Sequence, residues 1–185
     1  MRIISGKYKG REIKGYNIEG TRPTMDRIKE SLFASIQNYV KGSICLDLFA
    51  GSGGLGIEAL SEGAQSCYFV DNNKIVIDAL KKNLTSLKVE EDYFLIKKDY
   101  VEALKTFDMK FDIIFLDPPY HTNELDKSLT IINDNLCLLG DNGIIVCETE
   151  IKIDYQKYSN LIIYKTRKYG SKEVTILKKY YSVNE

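Results

Sequence analysis

Apolar positions along this 185-residue chain follow two rhythms that take turns. After Thr21-Arg22-Pro23-Thr24, residues Met25, Ile28, Leu32, Ile36 and Tyr39/Val40 recur at helical spacing. They predict a helix to about Val40, with this stripe in the core and Pro23 suited to the first turn. Gly42 ends it, and a short apolar run from Ile44 reads as a buried strand. A helix-like stretch from Leu55 then stops near Gly63. Further strands are predicted at Cys67–Val70, Tyr93–Lys98, Phe111–Leu116 and Gly143–Glu148. Helices fall between them at Lys74–Leu87, around Val101, Leu104 and Phe107, and through Leu125, Leu129, Ile132 and Leu136, the last closed by Gly140. Strand and helix in repeated succession argue a parallel sheet with helices on both faces.

Both ends break this rhythm. Tyr158–Lys168 and Glu173–Tyr181 are β-rich runs around Tyr169-Gly170-Ser171-Lys172, a predicted antiparallel hairpin. Arg2–Tyr16 alternates short apolar pairs with cations and three glycines, which reads as a small strand-turn-strand arm. The expected fold is therefore α/β: a mostly parallel seven-stranded sheet, a C-terminal antiparallel hairpin, and an N-terminal β arm and helix. One domain is expected over 1–185, with the basic arm and helix in 1–41 and the core in 42–185.

Within Ile44–Gly56 (ICLDLFAGSGGLG) the strand breaks into glycines at 51, 53 and 56. That spacing matches the dinucleotide fingerprint, and Asp71 lies twenty residues past Gly51, where a ribose-binding acid would sit. Glycines permit a tight turn and a ligand lying on bare backbone, with the next helix aiming its free N–H groups at it. The same spacing also reads as nothing more than a tight strand-to-helix turn. Charge changes the picture. Four strand candidates end in an aspartate, Asp47, Asp71, Asp99 and Asp117, and at the carboxyl ends of parallel strands these would ring one crevice. Four carboxylates repel a pyrophosphate, which disfavours a nicotinamide or flavin dinucleotide. They suit a cationic nucleoside such as S-adenosylmethionine, with its sulfonium, ammonium, ribose diol and adenine amine. Asp99 also reads as an N-cap of the short helix that follows it.

Asp117-Pro118-Pro119-Tyr120 uses two of the chain's three prolines at the end of the fourth strand. Proline lacks an N–H, so this backbone offers carbonyl acceptors in a stiff extended shape. An aspartate and a carbonyl can hold both hydrogens of a flat exocyclic amine, while Tyr120 stacks on the attached ring. Accepting those hydrogens returns electron density to a nitrogen whose lone pair is otherwise delocalised. Orientation in line with a sulfonium methyl would supply much of the acceleration.

Composition excludes several classes. There is no charged-then-apolar leader and no apolar run near eighteen residues, so neither secretion nor a membrane partner is expected. Cys45, Cys67, Cys137 and Cys147 lack paired spacing and read as reduced, buried residues of a cytoplasmic protein, with no metal site. The net charge is zero but unevenly spread. Residues 1–41 hold nine Lys/Arg against four Asp/Glu, 42–164 hold eleven against twenty, and 165–185 hold six against two. Two basic ends around an acidic middle give the footprint a phosphate backbone requires, or else are ordinary solvated lysines. In the arm, Arg2, Lys7, Lys9, Arg11 and Lys14 are interleaved with Tyr8 and Tyr16, which either stack on unpaired bases or cover the core edge. Arg22, Arg27 and Lys29, off the apolar stripe of the first helix, reach phosphate or face water.

DLFAGSGGLGIEAL (Asp47–Leu60) and DPPY (Asp117–Tyr120) resemble the cofactor and amine-binding motifs of class I methyltransferases, a Rossmann-like superfamily acting here on exocyclic amines. RIISGKYKGREI (Arg2–Ile13), RPTMDRIKESLF (Arg22–Phe33) and YGSKEVTIL (Tyr169–Leu177) resemble flanking motifs of the RsmD family, the 16S rRNA guanine(966)-N2 methyltransferases. The resemblance implies methylation of that guanine, with 16S rRNA, within or outside the small ribosomal subunit, as partner and a monomeric enzyme. It implies Gly51, Gly53 and Gly56 along the methionine moiety, Asp47 near its ammonium, Asp71 on the ribose and Asp99 on the adenine amine. Phe49, Ser52, Asn72 and Tyr100 would complete that site. Asp117, Pro118, Pro119 and Tyr120 would hold the target base. Arg2, Lys7, Lys9, Arg11, Arg22 and Arg27 would face RNA, with the hairpin turn. Ser171-Lys172 departs from the acid and small polar residue expected after Tyr-Gly, and the lone His121 follows the DPPY motif with no assigned role. The rival readings are another amino-methyltransferase, on adenine N6 or a glutamine amide, and a non-catalytic nucleotide- or RNA-binding module.

Overall fold

The computed structural model describes residues 1–15, 23–120 and 122–181. Tyr16, Arg22 and His121 lie outside them. Helix α1 (Pro23–Val40) leads into β1 (Ile44–Asp47), α2 (Gly54–Ser61), β2 (Ser66–Asp71), α3 (Lys74–Leu87) and β3 (Asp92–Lys97). Then come α4 (Tyr100–Thr106), β4 (Phe111–Leu116), α5 (Glu124–Asp134), β5 (Leu139–Thr149), β6 (Leu161–Tyr169) and β7 (Lys172–Lys179). They form a seven-stranded sheet ordered β3-β2-β1-β4-β5-β7-β6. Strands β1 to β5 are parallel, and β7 runs antiparallel to both β5 and β6. The chain winds outward from β1 to β3 and returns to β4. This leaves a crevice at the carboxyl ends of β1 and β4, where such sheets bind ligands.

Layers explain the apolar runs. β4 (FDIIFL) has helices over both faces, so five of its six residues are buried. On one face α1, α2 and α3 bury Phe33, Leu60 and Leu80 against Phe69 and Phe115. On the other, α4 and α5 bury Leu104, Leu129 and Ile132 against Phe111 and Ile145. In α3 the predicted stripe Val76, Leu80, Leu84 and Leu87 faces inward, and Asn73 caps the helix by accepting from the Ile75 N–H at 2.9 Å. No helix among the described residues is long and apolar enough to cross a membrane.

Several expectations are corrected. Gly140 does not close α5, which ends at Asp134; a 3-10 turn follows, and Gly140 and Gly143 both belong to β5. A register shift against β4 lies between Phe111 and Ile113, and a Cβ on Gly143 would stand 2.9 Å from the Gly140 carbonyl oxygen. Glycine is needed there for a bulge, not a cap. Met25 leaves the core stripe at 40% exposure, and Cys137 is exposed while the other three cysteines are buried.

The N-terminal arm has one antiparallel bridge, Arg2 to Glu12, rather than two strands, and it is firmly packed. Ile3, Tyr8 and Ile13 are buried in the core. Gly6 takes φ 77°, and a Cβ there would lie 1.8 Å from the Ser61 carbonyl oxygen, so only glycine lets the arm reach the end of α2. Glu58 of α2, fully buried, fastens it by accepting the Ile4 N–H at 2.9 and 3.0 Å and the Ser5 N–H at 2.9 Å. The same carboxylate pairs with Lys29 of α1 at 2.8 Å, and Lys29 also donates to the Arg2 carbonyl. Lys29 is therefore a buried tie between three elements and neither reaches a phosphate nor faces water.

Candidate active site

After β1 the chain turns through Gly51 (φ 53°) and Gly53 (φ 89°), the left-handed conformations that call for glycine. Asp47, at the end of β1, is buried and accepts the Gly56 N–H at 3.0 Å, which locks the turn to the start of α2. Asp71, at the end of β2, accepts the Gly51 N–H at 3.3 Å through one oxygen and the Asn73 N–H at 2.9 Å through the other. The loops after β1 and β2 are thus joined by a single carboxylate.

These loops and the one after β4 enclose a cavity of about 550 Å³, within the range of small-molecule sites. Asp47, Phe49, Gly51, Ser52, Asp71, Asn72 and Tyr100 line it on the glycine side, and Asp117, Pro118, Pro119 and Tyr120 on the other. Phe49 and Tyr100 form an aromatic wall with ring centres 5.2 Å apart. Three of the predicted residues do not line it. Gly53 serves the turn itself. A Cβ on Gly56 would meet Phe69 Cε1 at 2.3 Å, so that glycine lets α2 pack on the sheet. Asp99 caps α4, accepting the Val101 N–H at 2.9 Å, while its neighbours Lys98 and Tyr100 face the cavity.

The structure adds residues that the sequence did not assign to this site. Gly54, Glu124, Glu148 and Lys172 line the cavity, and Met1 and Met25 stand at its edge. The Tyr120 hydroxyl donates to Glu148 Oε1 at 3.0 Å, and Lys172 Nζ reaches the same oxygen at 2.6 Å while lying 5.0 Å from the Tyr120 ring centre. Pairing of Glu148 with Val174 and of Thr149 with Glu173 brings the start of β7 to the end of β5. The departure at Ser171-Lys172 was the one signal in the sequence. Burial works against the Lys172 charge, but Glu148 and Tyr120 outweigh it and hold its pKa above the usual value.

Electrostatics set the character of the site. Burial pushes the Asp47 carboxyl up to about 7, with the Gly56 N–H opposing and Asp71 adding to the rise. Burial also holds Asp117 well above the usual carboxylate range; Glu148 and Asp47 reinforce this and Lys172 opposes it. Carboxyls crowded in this way favour a bound cation. Among the described residues no group of three or more His, Cys, Asp or Glu side chains is arranged to hold a metal ion.

The arm's cations lie mostly elsewhere. Lys7 pairs with Glu90 at 2.8 Å and Glu91 at 3.0 Å, and Arg11 donates to the Leu87 carbonyl at 2.6 Å. Those partners precede β3 and so stand at the amino end of the parallel strands, opposite the crevice. Tyr8 is buried with its hydroxyl on Glu91, so it covers the core rather than presenting a ring to RNA. Arg2, Lys9 and Arg27 are exposed.

A family model described as Conserved hypothetical protein 95 matches residues 1–178. The chain is 42% identical over 153 residues to the Ribosomal RNA small subunit methyltransferase D of Haemophilus influenzae, covering 81% of this chain and 79% of that one. The chain belongs to the RsmD family of methyltransferases. A second RsmD-family relative is the Escherichia coli protein of the same name, 34% identical over 152 residues, 82% of this chain and 76% of that one. The solved structure of yhhF from Escherichia coli matches with a TM-score of 0.83 at 29% identity, covering 97% of each chain. The Rossmann-like methyltransferase fold expected from the sequence is the one found. Of the segments that resemble RsmD motifs, Pro23–Phe33 opens α1 and YGSKEVTIL forms the turn and strand that carry Lys172 to the crevice.

Proposed function

We propose that this RsmD-family chain transfers a methyl group from S-adenosylmethionine to the exocyclic N2 amine of a guanine in small-subunit (16S) rRNA. One observation carries the reading: the glycine turn after β1 and Asp117-Pro118-Pro119-Tyr120 after β4 line the same cavity. The names of the Haemophilus influenzae and Escherichia coli relatives support rRNA of the small subunit as the substrate.

The lining fits that cofactor. Asp47, Asp71 and Asp117 suit its positive charge and hydroxyls, and Phe49 and Tyr100 suit a flat base. When bound, it supplies a methyl on a sulfonium whose leaving group is a neutral thioether. Asp71 holds the ribose diol and Asp47 lies toward the ammonium. Asp117 and the Pro118 carbonyl accept the two hydrogens of the guanine amine and steer its lone pair toward the methyl carbon. Asp117 would stabilise the positive charge that develops on this nitrogen as it takes the methyl, and would accept the departing proton, with the neutral thioether as the leaving group. Tyr120, tethered through its hydroxyl to Glu148, stacks on the base.

The test is methyl transfer from labelled cofactor to in vitro transcribed small-subunit rRNA and to small subunits lacking the modification, with the product base identified. N2-methylguanine is the expected product. Label on adenine N6 or on a protein amide would replace this reading with another amino-methyltransferase.

A further inference from the structure

The surface cations differ in what stands beside them, Arg27 and Arg167 being exposed and Lys165 and Lys178 half-buried. Lys7, in the arm, is paired with two carboxylates. Where α1 meets the hairpin, the neighbours are hydroxyls and rings. Arg167 Nη1 donates to Ser31 Oγ at 2.9 Å, and Lys165 Nζ to Ser35 Oγ at 3.5 Å. Lys178 Nζ lies 4.9 Å from the Tyr39 ring centre and 3.8 Å from that of Tyr164, itself 53% exposed. Arg27 is exposed one helical turn before Ser31, and Ser35 follows one turn after it. Arg27, Lys165, Arg167 and Lys178 form no ion pair among the described residues. The acids on this part of α1 are Glu30, which is exposed, and Asp26, which takes a backbone N–H from Arg2.

This ridge continues from the crevice. α1 begins there, since Ile28 and Lys29 line the cavity, and Lys172 ends the hairpin turn there. From Arg27 to Tyr39 the helix advances about 18 Å at about 1.5 Å per residue. Cations interspersed along the ridge with hydroxyls and partly exposed aromatic rings suit a nucleic acid strand: ammonium and guanidinium groups meet phosphates, hydroxyls donate to them, and rings meet bases. An acidic protein surface would satisfy the cations but would leave the rings and the link to a base-binding crevice unexplained.

We propose that the α1–hairpin ridge binds the phosphate backbone of the RNA strand flanking the target nucleotide. This rests on the rRNA reading above. It moves the footprint from the arm, where Lys7 and Arg11 are engaged, to a ridge that starts at the crevice with Arg27 and Arg167 and runs along α1 and the hairpin to Lys178.

The experiment compares the full-length wild type with a variant carrying Arg27→Gln, Lys165→Gln, Arg167→Gln and Lys178→Gln. Equilibrium binding of in vitro transcribed small-subunit rRNA is measured at several salt concentrations, with S-adenosylmethionine affinity and thermal unfolding alongside. The slope of log affinity against log salt should shrink by up to about 2.8 units, about 0.7 for each lost single-strand contact. With lines converging near 1 M salt, even a two-unit change is about a hundredfold loss at about 0.1 M. Cofactor affinity should not change. Two half variants, Arg27→Gln with Arg167→Gln and Lys165→Gln with Lys178→Gln, should each take about half of the shift, which keeps the test open if the fourfold variant does not fold. Lines of equal slope and height would overturn the ridge while leaving the substrate reading intact, provided the wild type methylates the rRNA. Unchanged rRNA binding with reduced transfer to assembled subunits would assign the ridge to a protein and also overturn the proposal. A wild type that methylates neither the rRNA nor small subunits lacking the modification would remove both readings together.

Discussion

Lys172 Nζ and the Tyr120 hydroxyl meet on one oxygen, Glu148 Oε1, at 2.6 and 3.0 Å. Glu148 therefore holds the Tyr120 ring, and Lys172 supplies the positive charge that stands against Glu148 and Asp117. Lys172→Met should lower kcat/KM about tenfold or more, the scale of losing a charged hydrogen bond of roughly 1.5–3 kcal/mol. Because Lys172 opposes the rise in the Asp117 pKa, its loss should also move the acid limb of the kcat profile to higher pH. Lys172→Arg should restore most of both. Steady-state kinetics across pH decide it, and an unmoved acid limb in Lys172→Met would remove the electrostatic role.

Asp117→Ala should reduce turnover by roughly 10²–10³-fold at saturating cofactor, the scale for one preorganised electrostatic contact. The wild-type acid limb should lie above the ordinary carboxylate range, because the group must ionise to accept the amine hydrogens and its pKa is raised. Single-turnover rates against pH test both, and near-normal turnover in the mutant would end the assignment.

Asp71→Ala should weaken S-adenosylmethionine binding by roughly 1–3 kcal/mol, since the ribose hydroxyls lose a charged acceptor. It also leaves the Gly51 N–H without its partner, so the loops after β1 and β2 should loosen together. Calorimetry on the folded mutant is the measurement; equal affinity would take Asp71 out of the cofactor site.

Asp47 predicts a conflict between stability and function. Its folded pKa, about 7, lies above the ordinary value of 3.8, so its stabilising contribution is complete below about pH 4 and is lost as pH rises through about 7. Three units at about 1.36 kcal/mol each bound the loss at about 4 kcal/mol. Asp47→Asn keeps an acceptor for the Gly56 N–H and should flatten this dependence, leaving the variant the more stable protein at pH 8. Denaturant unfolding between pH 5 and 8 checks it, and parallel profiles for the two proteins would contradict it.

Glu58→Ala should destabilise the fold by roughly 3–5 kcal/mol, the cost of leaving a buried partner charge unpaired. The Ile4 and Ser5 N–H groups lose their acceptor too, so proteolysis should open the arm first. An unfolding midpoint close to wild type would show that the arm is held by Ile3, Tyr8 and Ile13 alone.

The sequence was legible where one local pattern decides the outcome. Lys74–Leu87 and Phe111–Leu116 were read to the residue, because a helical stripe and an unbroken apolar run leave no competing arrangement. Gly140 misled because a glycine after a helical stripe usually ends a helix, whereas here it bends a strand. Charge summed along the chain could not foresee that Lys7 would find Glu90 and Glu91, more than eighty residues away. Glu148 escaped notice, and Lys172 was noted only as a departure in the hairpin turn, for a related reason. Each is an ordinary charged residue at a strand end, and only the antiparallel pairing of β5 with β7 makes them neighbours at the crevice.

The strand order β5-β7-β6 also dictates how the site is assembled. β6 leaves the ribosome before β7, yet it has no place beside β5 and must wait for its later partner. A hairpin of the two forms in about 1–10 μs once both are free, so β6 and β7 can dock onto β5 as a unit. Until the hairpin closes, Ile162 and Ile163 have no strand to pair with, and until it docks the Asp117 crevice lacks its counter-charge. A newly made chain can thus complete its glycine turn and first loops while Asp117 still awaits Lys172.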